Sequence, residues 1–264
     1  MLSRLFPNIG KLSCLKTLSF YIVSLEKGTS LAELRDLNLG GRLSIEHLNN
    51  VGSFSDAEEA NLLSKKDLQE LWLSWIIPSG DFNKTPTIND EQLLEVLQPH
   101  SNLKRHCKNC GRLLSCDGME VGIFPSLEEL VLQNLPNIEG LLKVERGEMF
   151  ACLSELEIIS CPKLGLPCLP SLKYLRVEGC NNELLRSIST FGGLITKLTL
   201  SGGEGITSFP EGMFTNLTFL QNLTIENFPS FPKLKELPNE PFNLALDILQ
   251  IHDCDELESL PEQI

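Results

Sequence analysis

The apolar residues of this chain follow a recurring frame, L-x-x-L-x-[IV]-x-x-C, which is clearest between residues 153 and 182. Two consecutive copies place apolar side chains at Leu153, Leu156, Ile158 and Cys161, and then at Leu172, Leu175, Val177 and Cys180. Because side chains alternate between the two faces of a strand, the L-x-[IV] centre predicts a short β-strand with its apolar residues inward. One such unit cannot bury its apolar edge alone, so the copies are expected to stack on one another.

The same frame recurs along most of the chain. Its central leucines are Leu130, Leu156, Leu175, Leu198, Leu223 and Leu249, spaced by 19 to 26 residues. That spacing is typical of leucine-rich repeats, whose units are about 20 to 29 residues long. We therefore predict an α/β leucine-rich-repeat solenoid over residues 1–264, a horseshoe with a parallel concave β-sheet and an irregular or helical convex side.

The first third of the chain carries weaker copies of the frame. We predict a first strand with Leu15, Leu18 and Phe20 inward and a second strand built on the frame of Leu34, Leu37 and Leu39, which continues into a short apolar pair, Leu43 and Ile45. The next segment changes to a helical pattern, with Ser55 as N-cap and Glu58 completing a capping box. Its burial side is predicted to carry Ala57, Ala60, Leu62 and Leu63.

Residues 67–75 return to the strand frame and contain both tryptophans of the chain. Leu68, Leu71 and Leu73 are predicted inward. An outward Trp72 has two interpretations, a binding anchor or a packing residue, whereas Trp75 is predicted to pack.

The frame fails after Lys104, where polar residues stand in place of an inward aliphatic pair. We predict an irregular break near residues 105–119 that bends the solenoid and separates two weakly coupled arrays, residues 1–104 and 120–264. The break contains His106, Cys107, Cys110 and Cys116, whose ligand types suit zinc. No second paired motif completes a standard zinc finger, so a damaged repeat is the preferred interpretation and no metal is predicted.

Composition and charge exclude several classes of function. The net charge of −13 argues against nucleic-acid binding, and no run approaches the roughly 18 apolar residues of a membrane span. No phosphate-binding glycine loop occurs, and the four histidines lie in unrelated repeats, so neither an enzyme, a small-molecule substrate nor a cofactor is predicted. The chain has nine cysteines, an odd number. Three of them occupy the same position of the repeat and are predicted to be free buried thiols: Cys161, Cys180 and Cys254.

The outward strand positions are the candidate protein-binding residues, because they can vary without disturbing the inward frame. Taken strand by strand, they are Glu70, Trp72, Glu129, Val131, Gln133, Glu155, Glu157, Ile159, Tyr174, Arg176, Glu178, Lys197 and Thr199. Glutamates dominate the middle of this surface. We predict that it binds a basic protein surface in a salt-sensitive manner.

Three stretches of the sequence carry a family resemblance: IGKLSCLKTLSF, LSIEHLNNVGSFSDAEEANLLSKKDLQELWLSW and LQIHDCDELESLP. They resemble the leucine-rich-repeat region of plant coiled-coil nucleotide-binding disease resistance proteins, and the similarity covers nearly the whole chain outside residues 105–119. The L-x-G-x-I-P turn of secreted plant repeats is absent.

The resemblance implies an intracellular sensor, in the cytoplasm or also the nucleus, that recognises a pathogen effector or a guarded host protein. It also implies restraint of the nucleotide-binding domain of the parent receptor. The alternative is a stand-alone or truncated leucine-rich-repeat adaptor or decoy without signalling activity of its own.

Overall fold

The computed structural model describes residues 7–75, 93, 96–109, 126–135, 150–167, 169–179, 181–189, 194–202, 206, 209–210, 212–214, 216–228 and 246–254. Within these residues, ten strands form one parallel sheet in which the spatial order is the order along the chain. The strands are β1 Phe20–Ile22, β2 Gly41–Glu46, β3 Leu68–Ser74, β4 Arg105–Asn109, β5 Glu129–Gln133, β6 Glu155–Ile159, β7 Tyr174–Glu178, β8 Lys197–Ser201, β9 Asn222–Glu226 and β10 Ile248–His252. A sheet whose successive strands are all parallel neighbours is that of a leucine-rich-repeat solenoid, as predicted.

The register aligns the inward residues of neighbouring strands into two apolar lines. One line runs through Leu43, Leu71, His106, Leu130, Leu156, Leu175, Leu198 and Leu223. Every leucine in that line is fully buried. Each strand therefore contributes to one continuous core, which explains why a single copy of the frame would not be stable.

Residues 105–109, at the start of the predicted irregular break, form strand β4. Strand β4 pairs residue for residue with β3 on one side and with β5 on the other. His106 takes the place of the inward leucine and is 3% exposed, so a polar ring occupies an apolar position without ending the strand. Residues 110–119 of the predicted break lie outside the described residues.

The first two strands differ from their predicted positions. In β1 the inward residue is Tyr21, whose hydroxyl donates a hydrogen bond to the Ser30 carbonyl oxygen at 2.6 Å, while Phe20 faces outward. In β2 the inward pair is Leu43 and Ile45. The leucines that suggested an earlier second strand belong to the return segment, which is the part of each repeat that leads from one strand back to the next. Return segments also bury leucines, so their spacing resembles that of a strand.

The misassigned leucines lie in a short 3-10 helix, Leu31–Leu34, or after it, on the non-strand side of the repeat. They are Leu34, Leu37 and Leu39. Three further 3-10 helices occupy equivalent or connecting positions: Ile9–Lys11, Leu48–Asn50 and Leu62–Ser64. The convex side of the described repeats is thus built mainly from short helical turns.

Helix α1 spans Phe54–Glu59 and begins two residues earlier than predicted. Its N-cap is Ser53, whose hydroxyl accepts a hydrogen bond from the Asp56 amide at 3.1 Å, rather than Ser55. Ala57 is buried as predicted, but Leu63 lies beyond the helix and is 62% exposed. The serine-rich start offers two overlapping capping frames, and the Ser53 hydroxyl caps the earlier one.

Helix α2, Asn182–Ser189, was not predicted. The Asn181 side-chain oxygen accepts a hydrogen bond from the Leu184 amide at 2.7 Å, which caps the helix. Leu184, Leu185 and Ile188 are fully buried, and their i, i+1, i+4 spacing is the signal that could have identified this helix.

The residue after most strands adopts a left-handed backbone. Asn134, Ser160, Gly179 and Asn227 all have φ between 54° and 74°. Their amides donate to the carbonyl at the end of the following strand, for example from Asn134 to Ile159 at 2.8 Å. This turn redirects each strand into the return segment and adds one more bond to the ladder between repeats.

The predicted burial of the repeat-position thiols is confirmed for Cys161 but not for Cys254. Cys161 is fully buried, and its thiol donates a hydrogen bond to the Ile159 carbonyl oxygen at 3.5 Å. Cys254 is only half-buried, and Cys180 lies outside the described residues.

Candidate protein-binding surface

The outward strand residues lie in rows across the concave face, because neighbouring strands pair in register. The first row contains Arg42, Glu70, Arg105, Glu129, Glu155, Tyr174 and Lys197. The middle row contains Phe20, Ser44, Trp72, Cys107, Val131, Glu157, Arg176 and Thr199. Hence the structure brings the predicted site residues together on one face.

The predicted residues differ in how much surface they offer. Val131 and Thr199 are only 8% and 5% exposed. Glu155 and Lys197 are exposed, and the other predicted residues are half-buried. Val131 and Thr199 therefore form the floor of the face rather than its contact points.

Arg105 pairs with two of the predicted glutamates. Its Nε lies 2.8 Å from a Glu129 carboxylate oxygen and its Nη1 lies 3.4 Å from one of Glu70. Sequence reasoning missed Arg105 because it stands at the start of the supposed break. The three side chains link β3, β4 and β5, so Glu70 and Glu129 are already neutralised in part.

Burial and the neighbouring carboxylates nevertheless change the pKa of Glu129. Partial burial raises the pKa of Glu129, Arg105 lowers it, and the negative charges of Glu155, Glu157 and Glu70 raise it further, with a net increase. The carboxylates of β3, β5 and β6 thus interact electrostatically across the face.

Arg176 forms a second ion-pair group on the other side of β6. Its Nη2 lies 3.6 Å from Glu178 and 3.6 Å from Glu226, two strands away on β9. The neighbouring Lys197 ammonium lies 4.7 Å from the centre of the Tyr174 ring, a cation–π contact. Burial raises the pKa of the Tyr174 hydroxyl, and the Glu157 charge raises it further.

Between these two groups, β6 presents a pair of glutamates. Within the described residues, neither Glu155 nor Glu157 forms an ion pair, although Arg176 is the register partner of Glu157. The two side chains are two residues apart on one face, about 7 Å along the strand. We call Glu155 and Glu157 the β6 glutamate pair.

The N-terminal end of the face is aromatic. Trp72 is half-buried, and the Arg42 guanidinium carbon lies 4.9 Å from the centre of its ring. Phe20, on the same row, is 38% exposed, with the buried Ser44 between the two rings. Trp75 is 1% exposed and packs in the core, as predicted.

Metal ions and membranes define two other classes of site. No group of three or more His, Cys, Asp or Glu side chains in those residues is arranged to hold a metal ion. Among the helices in that part of the chain, none has the length and apolar character needed to cross a bilayer. Cys110 and Cys116 of the candidate zinc cluster lie outside the described residues.

The fold and this outward face define a leucine-rich-repeat protein. The family model for R13L1/DRL21 leucine-rich repeats matches residues 31–161. RGA1 and RGA2, two proteins of Solanum bulbocastanum that carry the name disease resistance protein, are 37% and 33% identical to the chain. These alignments cover 88% and 87% of this chain, and 28% and 27% of the relatives.

A protein of Arabidopsis thaliana named as a disease resistance RPP13-like protein 1 is 30% identical over 92% of the chain, which covers 30% of that relative. The chain therefore spans between a quarter and a third of the length of these three relatives. Its repeats are of the kind found in plant nucleotide-binding leucine-rich-repeat disease resistance proteins.

Proposed function

We propose that this chain is the protein-recognition region of an intracellular plant immune receptor, acting without catalysis in the cytoplasm or nucleus. Its partner is a pathogen effector, a guarded host protein or the nucleotide-binding domain of the parent receptor. Contact with that domain would restrain the receptor at rest. Disease resistance relatives and the solenoid fold support this proposal, because concave solenoid faces serve as extended binding surfaces.

We infer the charge of the partner surface from the β6 glutamate pair. The arginines on either side are engaged elsewhere, Arg105 by Glu70 and Glu129, and Arg176 by Glu178 and Glu226. Since Glu155 and Glu157 have no ion pair within the described residues, they remain able to accept cations from a partner. The complementary surface is basic.

The test is charge reversal on β6. Glu155→Lys together with Glu157→Lys should weaken association with a basic partner by about tenfold or more, because opposite charges become like charges. Binding of the unmodified chain should also weaken when salt is raised from about 50 to 300 mM, since exposed charges are screened. Calorimetry with each purified candidate partner measures both effects.

Glu58→Lys is the matched control, because Glu58 is exposed on helix α1 away from the sheet face. It changes one charge of the same type and should leave the association unaltered. Unchanged binding of every candidate partner by the β6 variant would remove the support for a basic ligand.

A further inference from the structure

The middle row of the concave face has two contact features with different chemistry. Trp72 on β3 offers a half-buried indole, and Glu157 on β6 offers a carboxylate that has no ion pair within the described residues. The row passes between them through Cys107 on β4 and Val131 on β5, and Val131 is 8% exposed, so the β5 position is low and apolar. The row thus gives a path from an aromatic end to an acidic end.

The length of this path is fixed by the sheet. Trp72 and Glu157 are three strands apart, which is about 14 Å at the usual spacing of about 4.8 Å between neighbouring strands. An extended peptide advances about 3.3 Å per residue, so side chains four residues apart are separated by about 13 Å and point to the same side. The two distances match.

The polarity of an occupant follows from the charges at each end. Arg42 already lies 4.9 Å over the Trp72 ring, so a second cation would be repelled there and an apolar or aromatic side chain is favoured. At the other end the β6 glutamate pair favours a cation. Arginine suits two carboxylates better than lysine, because its planar guanidinium donates several hydrogen bonds at once.

We propose that the concave face binds an extended segment of a protein partner that crosses the strands from β3 to β6. The segment places an apolar or aromatic side chain against Trp72 and an arginine, four residues away, at Glu155 and Glu157. This inference rests on the proposed function and adds to it the form of the ligand and the spacing of its two determinants.

The experiment selects a random library of 12-residue peptides on phage against the purified 264-residue chain. Parallel selections use Trp72→Ala, Trp72→Gln and the double variant Glu155→Gln/Glu157→Gln. Trp72→Gln keeps more of the side-chain bulk and remains informative if Trp72→Ala does not fold by circular dichroism. Enriched peptides are then synthesised and their affinities measured by fluorescence anisotropy, with Glu58→Gln as the control.

The expected result is enrichment of arginine four positions from an apolar or aromatic residue. Affinity for such a peptide should fall about tenfold or more in the Trp72 variants and in the double glutamate variant, and stay unchanged in Glu58→Gln. Peptides that carry arginine and depend on Glu155 and Glu157, but show no fixed spacing or no dependence on Trp72, would overturn this inference and leave the proposed function intact. A selection with no basic enrichment and no dependence on the β6 glutamates would overturn both.

Discussion

At the scale of single residues, position 202 requires glycine because a neighbouring repeat leaves no room for a side chain. Its backbone is not in the left-handed region, so backbone conformation does not impose this requirement. A side chain on Gly202 would collide with the Asn227 carbonyl oxygen of the next repeat. The Gly202 amide also donates to the Glu226 carbonyl oxygen at 3.0 Å, so the two turns are tied at this close distance. Neither group can withdraw without breaking the inter-repeat ladder.

Gly202→Ala should therefore lower the free energy of unfolding by about 2 kcal/mol or more, since backbone atoms must move to admit the methyl group. Gly52→Ala is the matched control, because nothing lies within 4 Å of the position that its methyl group would take. Urea unfolding of both variants measures the difference. Equal stability of Gly202→Ala and Gly52→Ala would show that the turns separate freely.

Lys65 is the buried cation of the N-terminal repeats. It is 2% exposed, and its ammonium donates to the Leu34 and Leu37 carbonyl oxygens at 2.8 and 2.9 Å. Burial lowers the pKa of Lys65 to about 8, and the nearby Asp36 charge offsets part of that decrease. The hydrogen bonds thus hold an ammonium whose charge is destabilised by burial.

The lowered pKa predicts a stability that rises with pH. Below about pH 8 both states are protonated and the folded state carries the full cost of the buried charge. Between about pH 8 and 10.4 the unfolded chain keeps a proton that the folded chain has released, so folding becomes more favourable, by up to about 3 kcal/mol. The gain should appear as a difference in unfolding free energy between the wild type and Lys65→Met.

Lys66→Met, at an exposed lysine, controls for the loss of one positive charge. Parallel curves for the wild type and Lys65→Met from pH 7 to 10 would contradict the lowered pKa.

The alternation of apolar and polar residues along the strands was enough to predict which residues face outward. The ion pairs between those residues could not be predicted. Glu155, Tyr174 and Lys197 lie in one row as their positions in three copies of the frame imply. Arg105 joins Glu70, thirty-five residues away in sequence, only because β4 pairs in register with β3. Which glutamates remain unpaired depends on that register and on side-chain reach, and neither is visible in a single strand.

At the scale of elements, carboxylates on one repeat cap the helical turn of the preceding repeat. The Asp56 carboxylate of α1 accepts hydrogen bonds from the Leu31 and Ala32 amides at 3.2 and 2.9 Å. Glu33 does the same for the Gly10 amide at 3.0 Å. The first-turn amides of these two 3-10 helices are thus satisfied by the next repeat rather than by a local side chain.

Asp56→Ala should cost about 1 to 2 kcal/mol of stability, because it leaves two amides at a helix start without their acceptor. Glu58→Ala, on the same helix and exposed, should change the stability little. Thermal unfolding followed by circular dichroism compares the two variants. A similar melting temperature for both would show that water replaces the carboxylate at no cost.

Strand positions were easier to predict than helical ones for a physical reason. Strands β5 to β9 each bury two aliphatic residues in the alternating frame, which a sequence displays directly. Return segments also bury leucines but in several local forms, so Leu37 and Leu39 suggested a strand, and α2 was not recognised. Tertiary packing, rather than local propensity, decides between these forms.

At the scale of the whole molecule, β4 carries the least apolar residues at the inward register positions of the sheet. His106 replaces the inward leucine, and Lys108 is the register partner of Leu73 and Leu132. The stability of a solenoid is approximately a sum of repeat stabilities and nearest-neighbour interfaces, so one weak unit lowers the coupling between the arrays on either side. A continuous sheet can therefore still contain the weak junction that the sequence predicts between residues 1–104 and 120–264.

Hydrogen exchange measured by mass spectrometry tests this junction. Amides of β4 should exchange faster than those of β3 and β6, because opening at a weak interface requires less free energy than opening in the flanking arrays. His106→Leu provides an internal comparison, since an aliphatic side chain at that position should slow exchange in β4 if apolar burial sets the coupling. Protection of β4 equal to that of β3 and β6 would contradict the weak junction, whereas protection that disappears on adding a chelator would instead favour zinc at His106, Cys107, Cys110 and Cys116.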